Sequence, residues 1–255
     1  MRVVKIGGRA QADPRLPITL REAWNAGPGE LCVVHGGGDE VSAMQRALGT
    51  EPAFIGGRRV TSEGDLELLR MVLSGVVNKR LVNAMVAVGL PAVGISGEDG
   101  ALIGAELIGA ASLGFAGQPV TVNVALLRTL LNAGLLPLIS PVGYNATSPN
   151  GGALNVNGDD AAAAIAAALE ADELLLIADV EGVRDGEGEV VSSLSTETAR
   201  ELAANGIAVG GMAAKLESAE AALTAGVARV RICGLAGLSD GERGTFITRS
   251  QSVAL

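Results

Sequence analysis

Short apolar runs alternate with helix-like segments along almost the whole of this 255-residue chain. The apolar runs predict strands at residues 2–6, 31–35, 92–95, 135–140, 173–177 and 229–233. The segments between them predict helices at residues 39–48, 63–88, 124–133, 159–170, 196–205 and 212–225. Strands that alternate with helices are typical of βαβ units, in which buried parallel strands lie between layers of helices. The chain is therefore predicted to adopt an α/β fold.

Two segments interrupt this alternation. Residues 102–122 and 141–156 are rich in glycine, proline, asparagine and serine, and their apolar residues alternate only weakly. We predict that they form hairpins or flaps over one edge of the sheet. Because no internal repeat or linker is evident, we expect one compact body, residues 1–255, with two lobes. The division is expected after the helix that ends near residue 170, which gives lobes of residues 1–170 and 171–255.

Composition limits the classes of partner that the protein can bind and indicates its cellular location. A net charge of −9 argues against a nucleic acid or an anionic membrane, because either would attract a basic surface. Cys32 and Cys233 lie far apart in apolar runs, which indicates buried thiols rather than a disulfide framework. No signal peptide is evident, and no stretch of about 18 apolar residues occurs. We therefore expect a cytoplasmic protein.

Two glycine-rich loops follow predicted strands. Residues 36–38 are three glycines between a strand and a helix, and Gly7 and Gly8 follow the first strand just after Lys5. Glycine lets the backbone approach a ligand closely, and the start of a helix offers free N–H groups to an anion. Neither loop matches the P-loop or the G-x-G-x-x-G pattern, which disfavours the best-known nucleotide-binding folds. The loops indicate an anion site, the alternative being glycines that serve the turn shape alone.

Lysine is rare in this chain, with three lysines against sixteen arginines. Lys5 lies at the exit of the first predicted strand, and Lys215 lies at the start of a late predicted helix. A compact ammonium group follows a moving phosphoryl oxygen more easily than the rigid guanidinium fork of arginine does. The two positions therefore indicate phosphoryl transfer. The alternative is that each lysine simply caps a strand or a helix at the surface.

Four Asx residues lie within residues 155–160, at the start of a predicted helix. One of them could cap this helix, because Asx side chains accept hydrogen bonds from its first free amides. Asn155 and Asn157 would lie on one face of an extended segment and could hold a polar ligand. Asp159 could then lie between the two lysines and order both, since the two ammonium groups would otherwise repel each other.

Paired arginines and a single histidine complete the polar candidates. Arg58 and Arg59 lie between glycines and a helix start, where one arginine can bind a carboxylate through two parallel hydrogen bonds. At least one of this pair also fits a solvated basic turn. His35 ends a buried strand and has no metal-spaced partner, which favours a positioning or core role over general-base catalysis.

Eight strings of this chain, taken in order, resemble those of the amino-acid kinase superfamily, and most closely those of its acetylglutamate kinases. The strings are VKIGG at 4–8, HGGG at 35–38, GRRVT at 57–61, NKRLV at 78–82, SGEDG at 96–100, NVNGD at 155–159, DVEGV at 179–183 and GGMAAK at 210–215. They span nearly the whole chain. The resemblance implies a three-layer α/β/α sandwich around an open, mainly parallel eight-stranded sheet.

The resemblance also implies an activity, the ATP-dependent phosphorylation of the side-chain carboxylate of N-acetyl-L-glutamate on the route to arginine. The amino lobe would hold the acyl amino acid, and the carboxyl lobe would hold ATP. Mg²⁺ would be carried by the nucleotide phosphates, without a metal site made by protein side chains. A carboxylate nucleophile is already ionised near neutral pH and needs no general base, so catalysis would consist of positioning and electrostatic stabilisation.

Catalytic roles follow from the resemblance residue by residue. Lys5 and Lys215 would neutralise charge on the transferring phosphoryl group. Gly8 and Gly37 would add backbone N–H groups to the same oxygens. Asp159 would orient the two lysines.

Binding roles follow in the same way. Gly36 and Gly37 would contact the substrate, Arg59 would pair with its α-carboxylate, and Asn155 would bind its polar end. The residues that would frame the nucleotide are Asp179, Val180, Glu181, Gly182, Val183, Arg184, Ile207, Ala208, Val209, Gly210 and Gly211.

Two features depart from the pattern of the resembled family. Its members usually carry alanine at the place of Gly158. Little chain precedes the first predicted strand, so the additional N-terminal helix of the arginine-inhibited hexameric enzymes is not expected. The chain is therefore predicted to be an arginine-insensitive homodimer, with the predicted helix at residues 63–88 as the contact.

Two other functions stay open as alternatives. A sister kinase that acts on aminoadipate or glutamate held on a small acidic carrier protein is expected to present a basic surface, whereas this chain is acidic. A non-catalytic, amino-acid-binding regulatory module could keep the fold and lose its phosphate-handling groups. Lys5, Lys215, Asp159 and both glycine loops are all present here, which disfavours such a module.

Overall fold

The computed structural model describes residues 1–109 and 111–249. Its strands are β1 (Arg2–Ile6), β2 (Leu31–His35), β3 (Phe54–Ile55), β4 (Arg58–Arg59), β5 (Ala92–Gly97), β6 (Ile103–Leu107), β7 (Ala116–Val122), β8 (Leu136–Asn145), β9 (Ala153–Val156), β10 (Glu173–Ile177), β11 (Ser193–Ser195), β12 (Arg229–Cys233) and β13 (Thr245–Thr248). Its α-helices are α1 (Leu16–Ala26), α2 (Gly38–Ala47), α3 (Glu63–Arg70), α4 (Asn78–Ala87), α5 (Val124–Asn132), α6 (Gly158–Ala168), α7 (Thr196–Ala204) and α8 (Gly211–Thr224). Residue 110 of the predicted flap and residues 250–255 of the predicted carboxyl lobe lie outside the described residues.

Six parallel strands form the centre of the main sheet, in the order β12-β10-β1-β2-β8-β5. β13 pairs antiparallel with β12, and β11 pairs parallel with β13, which extends one edge. In β1, Lys5 lies opposite Val34 of β2 and Leu176 of β10. This register places Lys5 in the middle of the sheet, at the end where the parallel strands finish.

The prediction of an eight-stranded sheet is wrong, because the sheet of the described residues contains eleven strands. β8 is ten residues long, and its second half extends beyond its parallel neighbours and pairs with β6 and β9. β7 pairs with both β6 and β9, so that these four strands close into a small barrel. The segments predicted as flaps supply this barrel. Their glycines permit its tight curvature: a Cβ added at Gly117 would lie 2.8 Å from Leu154, and one at Gly143 would lie 2.9 Å from Val156.

Two hydrophobic cores cover the two faces of the sheet, as the alternation of side chains along a strand requires. Val3 and Cys32 belong to the core that contains α6, α7 and α8. Val4, Val33 and Cys233 belong to the core that contains α1 to α4. This confirms the predicted layers of helices on both sides of the sheet. Both cysteines are free and buried, as their apolar surroundings predict.

α3 and α4 belong to one long helix, joined by a π-helical segment at Met71–Val77. The helix predicted at residues 63–88 is therefore confirmed, but its middle is wider than a regular α-helix. Ser62 and Asp65 form a capping box at its start. Within the π-helical segment, Leu73 lies directly against the glycine loop at residues 36–38, where it lines a cleft with Leu69. Such π-helical turns are frequent at functional sites.

The remaining helices begin at polar caps where the sequence offers them. Asn123, Asn157 and Ser195 accept hydrogen bonds from the first amides of α5, α6 and α7. α1 is absent from the sequence-based prediction. Pro17 lies in the first turn of α1, where proline is tolerated. In the part of the chain that the structure describes, no helix combines the length and the apolar character needed to cross a bilayer.

Candidate active site

Asp159 lies between two lysines that are far apart in the sequence. It occupies the first turn of α6, Lys5 comes from β1, and Lys215 comes from α8. The Nζ atoms of Lys5 and Lys215 each lie 3.0 Å from Oδ1 of Asp159, so the two nitrogens are separated by at most twice that distance. All three side chains are buried, with Asp159 4% exposed. The position predicted for Asp159, between the two lysines, is the one observed.

This cluster carries two positive charges and one negative charge, which leaves one positive charge for a ligand. Burial opposes the charge on Asp159, but Lys5 and Lys215 together hold the pKa of its carboxyl below the usual value. Burial and the nearby charge of Lys5 lower the pKa of Lys215 to about 8, against the opposing effect of Asp159. A second anion next to the cluster would therefore relieve the repulsion between the lysines.

Both glycine loops border the lysine cluster. Gly36 donates its N–H to the Ile6 carbonyl oxygen over 2.9 Å, which fastens the two loops side by side. In residues 1–109 and 111–249, the N–H groups of Gly8 and Gly37 donate no hydrogen bond, so both are available to an anion. Gly37 has φ +147°, and an added Cβ would lie 2.6 Å from Leu73 Cδ2, so this position requires glycine.

A cleft on one side of the cluster contains the residues predicted to bind the substrate. Arg59 is buried, its Nη2 donates to the Gly38 carbonyl and to Ser42 Oγ, both over 2.8 Å, and its guanidinium stacks on Phe54. Asn155 donates its Nδ2–H to Thr61 Oγ1 over 2.9 Å. Other cleft-lining residues include Gly36, Gly37, Val41, Arg58, Leu69, Leu73, Ile108, Ala116 and Val156. The cleft thus combines an ordered arginine and amide with an apolar wall.

A second and a third cleft lie beyond the cluster and continue the first one. The second contains Lys5, Gly8, Arg9, Asp159, Asp179, Val180, Gly211 and Lys215, and the third contains Val180, Gly182, Val183, Arg184, Ile207, Ala208 and Val209. Shared residues join the first cleft to the second and the second to the third. A ligand with a phosphate tail can therefore extend from the third cleft to the lysines.

Two of the predicted nucleotide-framing residues line none of these clefts. The Glu181 side chain is turned toward Gly234, where an added Cβ would lie 2.8 Å from Glu181 Oε1. Gly210 precedes α8 and lies against the β3–β4 hairpin, with its carbonyl oxygen 3.4 Å from the position of an added Cβ at Gly57. The remaining predicted positions of both segments border the second or third cleft.

His35 is fully buried, and both ring nitrogens have partners. Nδ1 lies 2.8 Å from the Gly36 carbonyl oxygen, and Nε2 lies 3.1 Å from Asn78 Nδ2. These contacts fit a neutral ring that donates from Nδ1–H and accepts at Nε2. Burial lowers the pKa of His35 to about 4, so the ring stays neutral near pH 7. The geometry supports the predicted positioning role, in which His35 supports the loop that begins at Gly36.

Four polar residues of the site were not given roles from the sequence, namely Arg9, Arg58, Asp160 and Ser218. Arg58 is not a solvated turn residue, because it pairs with Asp160 of α6. Asp160 also accepts a hydrogen bond from Ser218 of α8. Arg9 pairs with Asp179 across the second cleft over 2.7 Å. The sequence contains one signal for the Arg58–Asp160 pair, which is that Asp159 and Asp160 are adjacent. Once Asp159 is assigned to the two lysines, Asp160 has no assigned partner.

No group of three or more histidine, cysteine, aspartate or glutamate side chains that could hold a metal ion occurs in residues 1–109 and 111–249. At Gly158, where the resembled family usually has alanine, an added Cβ would lie 3.2 Å from Lys5 Cε. Glycine at this position therefore leaves extra room beside the aliphatic part of Lys5.

Comparisons with known proteins identify the family of this chain. Residues 1–234 match the family described as "Amino acid kinase family". The acetylglutamate kinase of Cereibacter sphaeroides is 44% identical over 236 residues, which are 90% of this chain and 78% of the relative, and that of Geobacillus kaustophilus is 40% identical over 233 residues, which are 90% and 88%. The crystal structure of smu.665 from Streptococcus mutans UA159 superposes with a TM-score of 0.85 at 27% identity, covering 97% of this chain and 98% of that one. This chain belongs to the amino acid kinase family.

Proposed function

We propose that the protein transfers the γ-phosphoryl group of ATP to the side-chain carboxylate of N-acetyl-L-glutamate, giving N-acetyl-L-glutamyl 5-phosphate and ADP in arginine biosynthesis. The observation that carries this proposal is the Lys5–Asp159–Lys215 cluster at the junction of two clefts. The relatives at 40–44% identity, which are named acetylglutamate kinase, support the choice of substrate.

The chemistry needs little from the protein beyond positioning and charge. An oxygen of the ionised carboxylate attacks the γ-phosphorus and forms a new O–P bond. The bond between the γ-phosphorus and the β–γ bridging oxygen breaks, and its electron pair leaves on ADP. No proton is transferred, so no general base is required. Lys5 and Lys215 stabilise the charge on the equatorial and bridging oxygens, and the free N–H groups of Gly8 and Gly37 add donors to the same group.

Asp159 acts as the organiser of this site rather than as a base. Two ammonium groups that share one cleft repel each other, and the shared carboxylate offsets this repulsion while it fixes both nitrogens. Because three buried residues hold one another in place, the site needs little reorganisation when the phosphoryl group arrives. The surplus positive charge then attracts the anionic substrates.

The clefts on the two sides of the cluster divide the substrates. Arg59 binds the α-carboxylate of the amino acid, and Asn155 binds its polar end. Gly36 and Gly37 also contact the amino acid. ATP enters with Mg²⁺ on its phosphates and places its base and ribose in the third cleft, beside Val180, Gly182 and Val209. The two anionic substrates approach the lysine cluster from different clefts. This arrangement favours in-line transfer of the phosphoryl group.

We further infer that the protein is a homodimer through its long helix. Met71, Val76 and Val86 of this helix are each more than half exposed, which is a typical feature of a surface that another protein covers. Insensitivity to arginine, a cytoplasmic location and the division into lobes stay predictions. Adding arginine to the activity assay tests the first of these.

A hydroxamate assay tests the proposed activity. Hydroxylamine converts an acyl phosphate to a coloured hydroxamate, and it is applied with ATP and N-acetyl-L-glutamate, L-glutamate, L-aspartate or carbamate. We expect hydroxamate from N-acetyl-L-glutamate at a rate well above that from the other acids, together with an equal amount of ADP. ADP release without hydroxamate, or a preference for a free amino acid, would contradict the proposal.

A further inference from the structure

Arg58 and Arg59 are consecutive residues of β4, in the hairpin formed by β3 and β4, and their guanidinium groups have different partners. Arg59 points into the first cleft, toward Gly38 and Ser42. Arg58 also borders this cleft, and its guanidinium group pairs with Asp160 of α6. One short strand therefore contacts both the proposed substrate site and a second acidic group.

Asp160 joins the hairpin to the helix that carries Lys215. Its Oδ2 accepts from Arg58, and its Oδ1 accepts from Ser218 Oγ over 2.7 Å. Ser218 lies on α8, three residues beyond Lys215, and is 1% exposed. The two adjacent aspartates thus have separate partners, since Asp159 contacts the lysines and Asp160 contacts Arg58 and Ser218.

The backbone of the hairpin also contacts α8. The turn residues Gly56 and Gly57 both have positive φ, which a two-residue hairpin turn requires. A Cβ added at Gly57 would lie 3.4 Å from the Gly210 carbonyl oxygen and 3.7 Å from Ala214 Cβ, at the start of α8. The turn therefore rests on the first turn of α8, and the Arg58 contact lies beside this packing.

We propose that Arg58, Asp160 and Ser218 form a positioning bridge that couples the amino-acid site at Arg59 to the placement of Lys215. This inference rests on the proposed function and adds residues to it. None of the three needs to touch the reacting atoms. A carboxylate bound at Arg59 orders the hairpin, and the bridge passes this order to α8 and thus to Lys215.

The contacts among Arg58, Asp160 and Ser218 are buried enough to hold these side chains in fixed positions. The Arg58 and Asp160 side chains are 27% and 16% exposed, so solvent screens their attraction only in part. Truncating Arg58 or Ser218 leaves Asp160 with an unpaired, largely buried oxygen, which is costly. Small displacements of a catalytic group strongly reduce a rate that depends on alignment.

The test uses Arg58→Leu, Ser218→Ala and the double variant, with Arg200→Leu as the matched control. Arg200 also pairs with a carboxylate of α8, Glu220, but has no link to the hairpin. Ser218→Ala is expected to fold, because alanine has the higher helix propensity. Thermal unfolding is measured for every variant, and kcat and both KM values are measured for those that fold.

We expect kcat to fall about tenfold in each single variant, as a displaced catalytic group predicts. We also expect Ser218→Ala to raise KM for N-acetyl-L-glutamate, although Ser218 lies outside the first cleft. The double variant should be no worse than the more impaired single variant, because both act through Asp160. Arg200→Leu should match the wild type in all three constants.

Two results would overturn the bridge. Ser218→Ala could behave like Arg200→Leu, or the losses of the two single variants could multiply in the double variant. Wild-type turnover of N-acetyl-L-glutamate is measured first, because its absence would refute the proposed function and the bridge with it. Once that turnover is present, the variants test the bridge alone.

Discussion

At the scale of single residues, one carboxylate determines how two lysines can act together. Lys5 and Lys215 come from opposite ends of the chain, yet both contact Oδ1 of Asp159. Arginine is the usual cation of this chain, so lysine at these two positions fits a need for a compact charge that can follow the phosphoryl group. The third lysine, Lys79, donates to the Gly94 carbonyl and serves as an internal comparison.

Replacing Lys5 or Lys215 by alanine should lower kcat by a factor of about 10²–10³, the usual effect of removing one electrostatic donor. KM for ATP should change less, because the third cleft, the proposed site of the base and ribose, is unchanged in both variants. Lys79→Ala, tested in the same assay, should keep kcat within about twofold of the wild type. Near-normal kcat in Lys5→Ala or Lys215→Ala would remove the proposed mechanism.

The activity should also depend on pH through Lys215. The pKa of Lys215 is lowered from 10.5 to about 8 by burial and by Lys5, so the folded protein loses this proton first as the pH rises. Between these two values the folded state gains stability relative to the unfolded chain, which still binds the proton. Catalysis, however, needs the charged form, so kcat/KM for ATP should fall as the pH rises above about 8.

Lys215→Arg is the control for this assignment. Arginine stays protonated throughout the accessible pH range, so the residual activity of this variant should show no decrease near pH 8. The profile of kcat/KM for ATP is measured for both proteins. A wild-type profile that is flat through this region would contradict the predicted pH dependence. The same decrease in Lys215→Arg would assign the titration to another group.

At the scale of elements, the glycine loop at residues 36–38 depends on the long helix beside it. Gly37→Ala should lower the free energy of unfolding by about 1–3 kcal/mol, since φ is +147° and the new Cβ would lie 2.6 Å from Leu73 Cδ2. Gly36→Ala is the matched control, because its Cβ would meet only ordinary contacts at 3.5 Å or more. Urea unfolding compares the two. Equal losses would mean that Leu73 does not hold the loop.

The parallel core could be predicted because its signals are local. The runs at residues 2–6, 31–35 and 173–177 are buried on both faces and read as continuous apolar strands, which the structure confirms. The barrel could not be predicted, since it depends on β8 extending past its neighbours to meet β6 and β9. Such pairing is set by tertiary contacts rather than by the composition of the segments.

The candidate site likewise contains features that could be predicted from the sequence and features that depend on tertiary contacts. Asp159 could be predicted to lie between the lysines because an uncompensated pair of ammonium groups needs a counter-charge. The partners of Arg58 could not, because Asp160 and Ser218 approach it only after α6 and α8 pack together. Which of the two adjacent arginines is buried depends on the start of a two-residue strand, which the sequence defines poorly.

At the scale of the whole molecule, the proposed dimer gives a test that is independent of catalysis. Val76→Glu places a charge on the exposed surface of the long helix and should convert a dimer to a monomer. Val190→Glu is the control, because Val190 is exposed on a segment away from this helix. Light scattering measures the mass of each. A wild-type monomer or hexamer, or a dimer that tolerates Val76→Glu, would contradict the proposed contact.

In the proposed function, the whole molecule brings two anionic substrates together from different clefts, with the lysine cluster between them. A crystal structure with ADP, Mg²⁺, aluminium fluoride as a planar phosphoryl mimic and N-acetyl-L-glutamate tests this most directly. We predict that Nζ of Lys5 and Nζ of Lys215 both lie within about 3 Å of fluoride or bridging oxygen atoms. A mimic bound elsewhere, or contacted by neither lysine, would contradict the account.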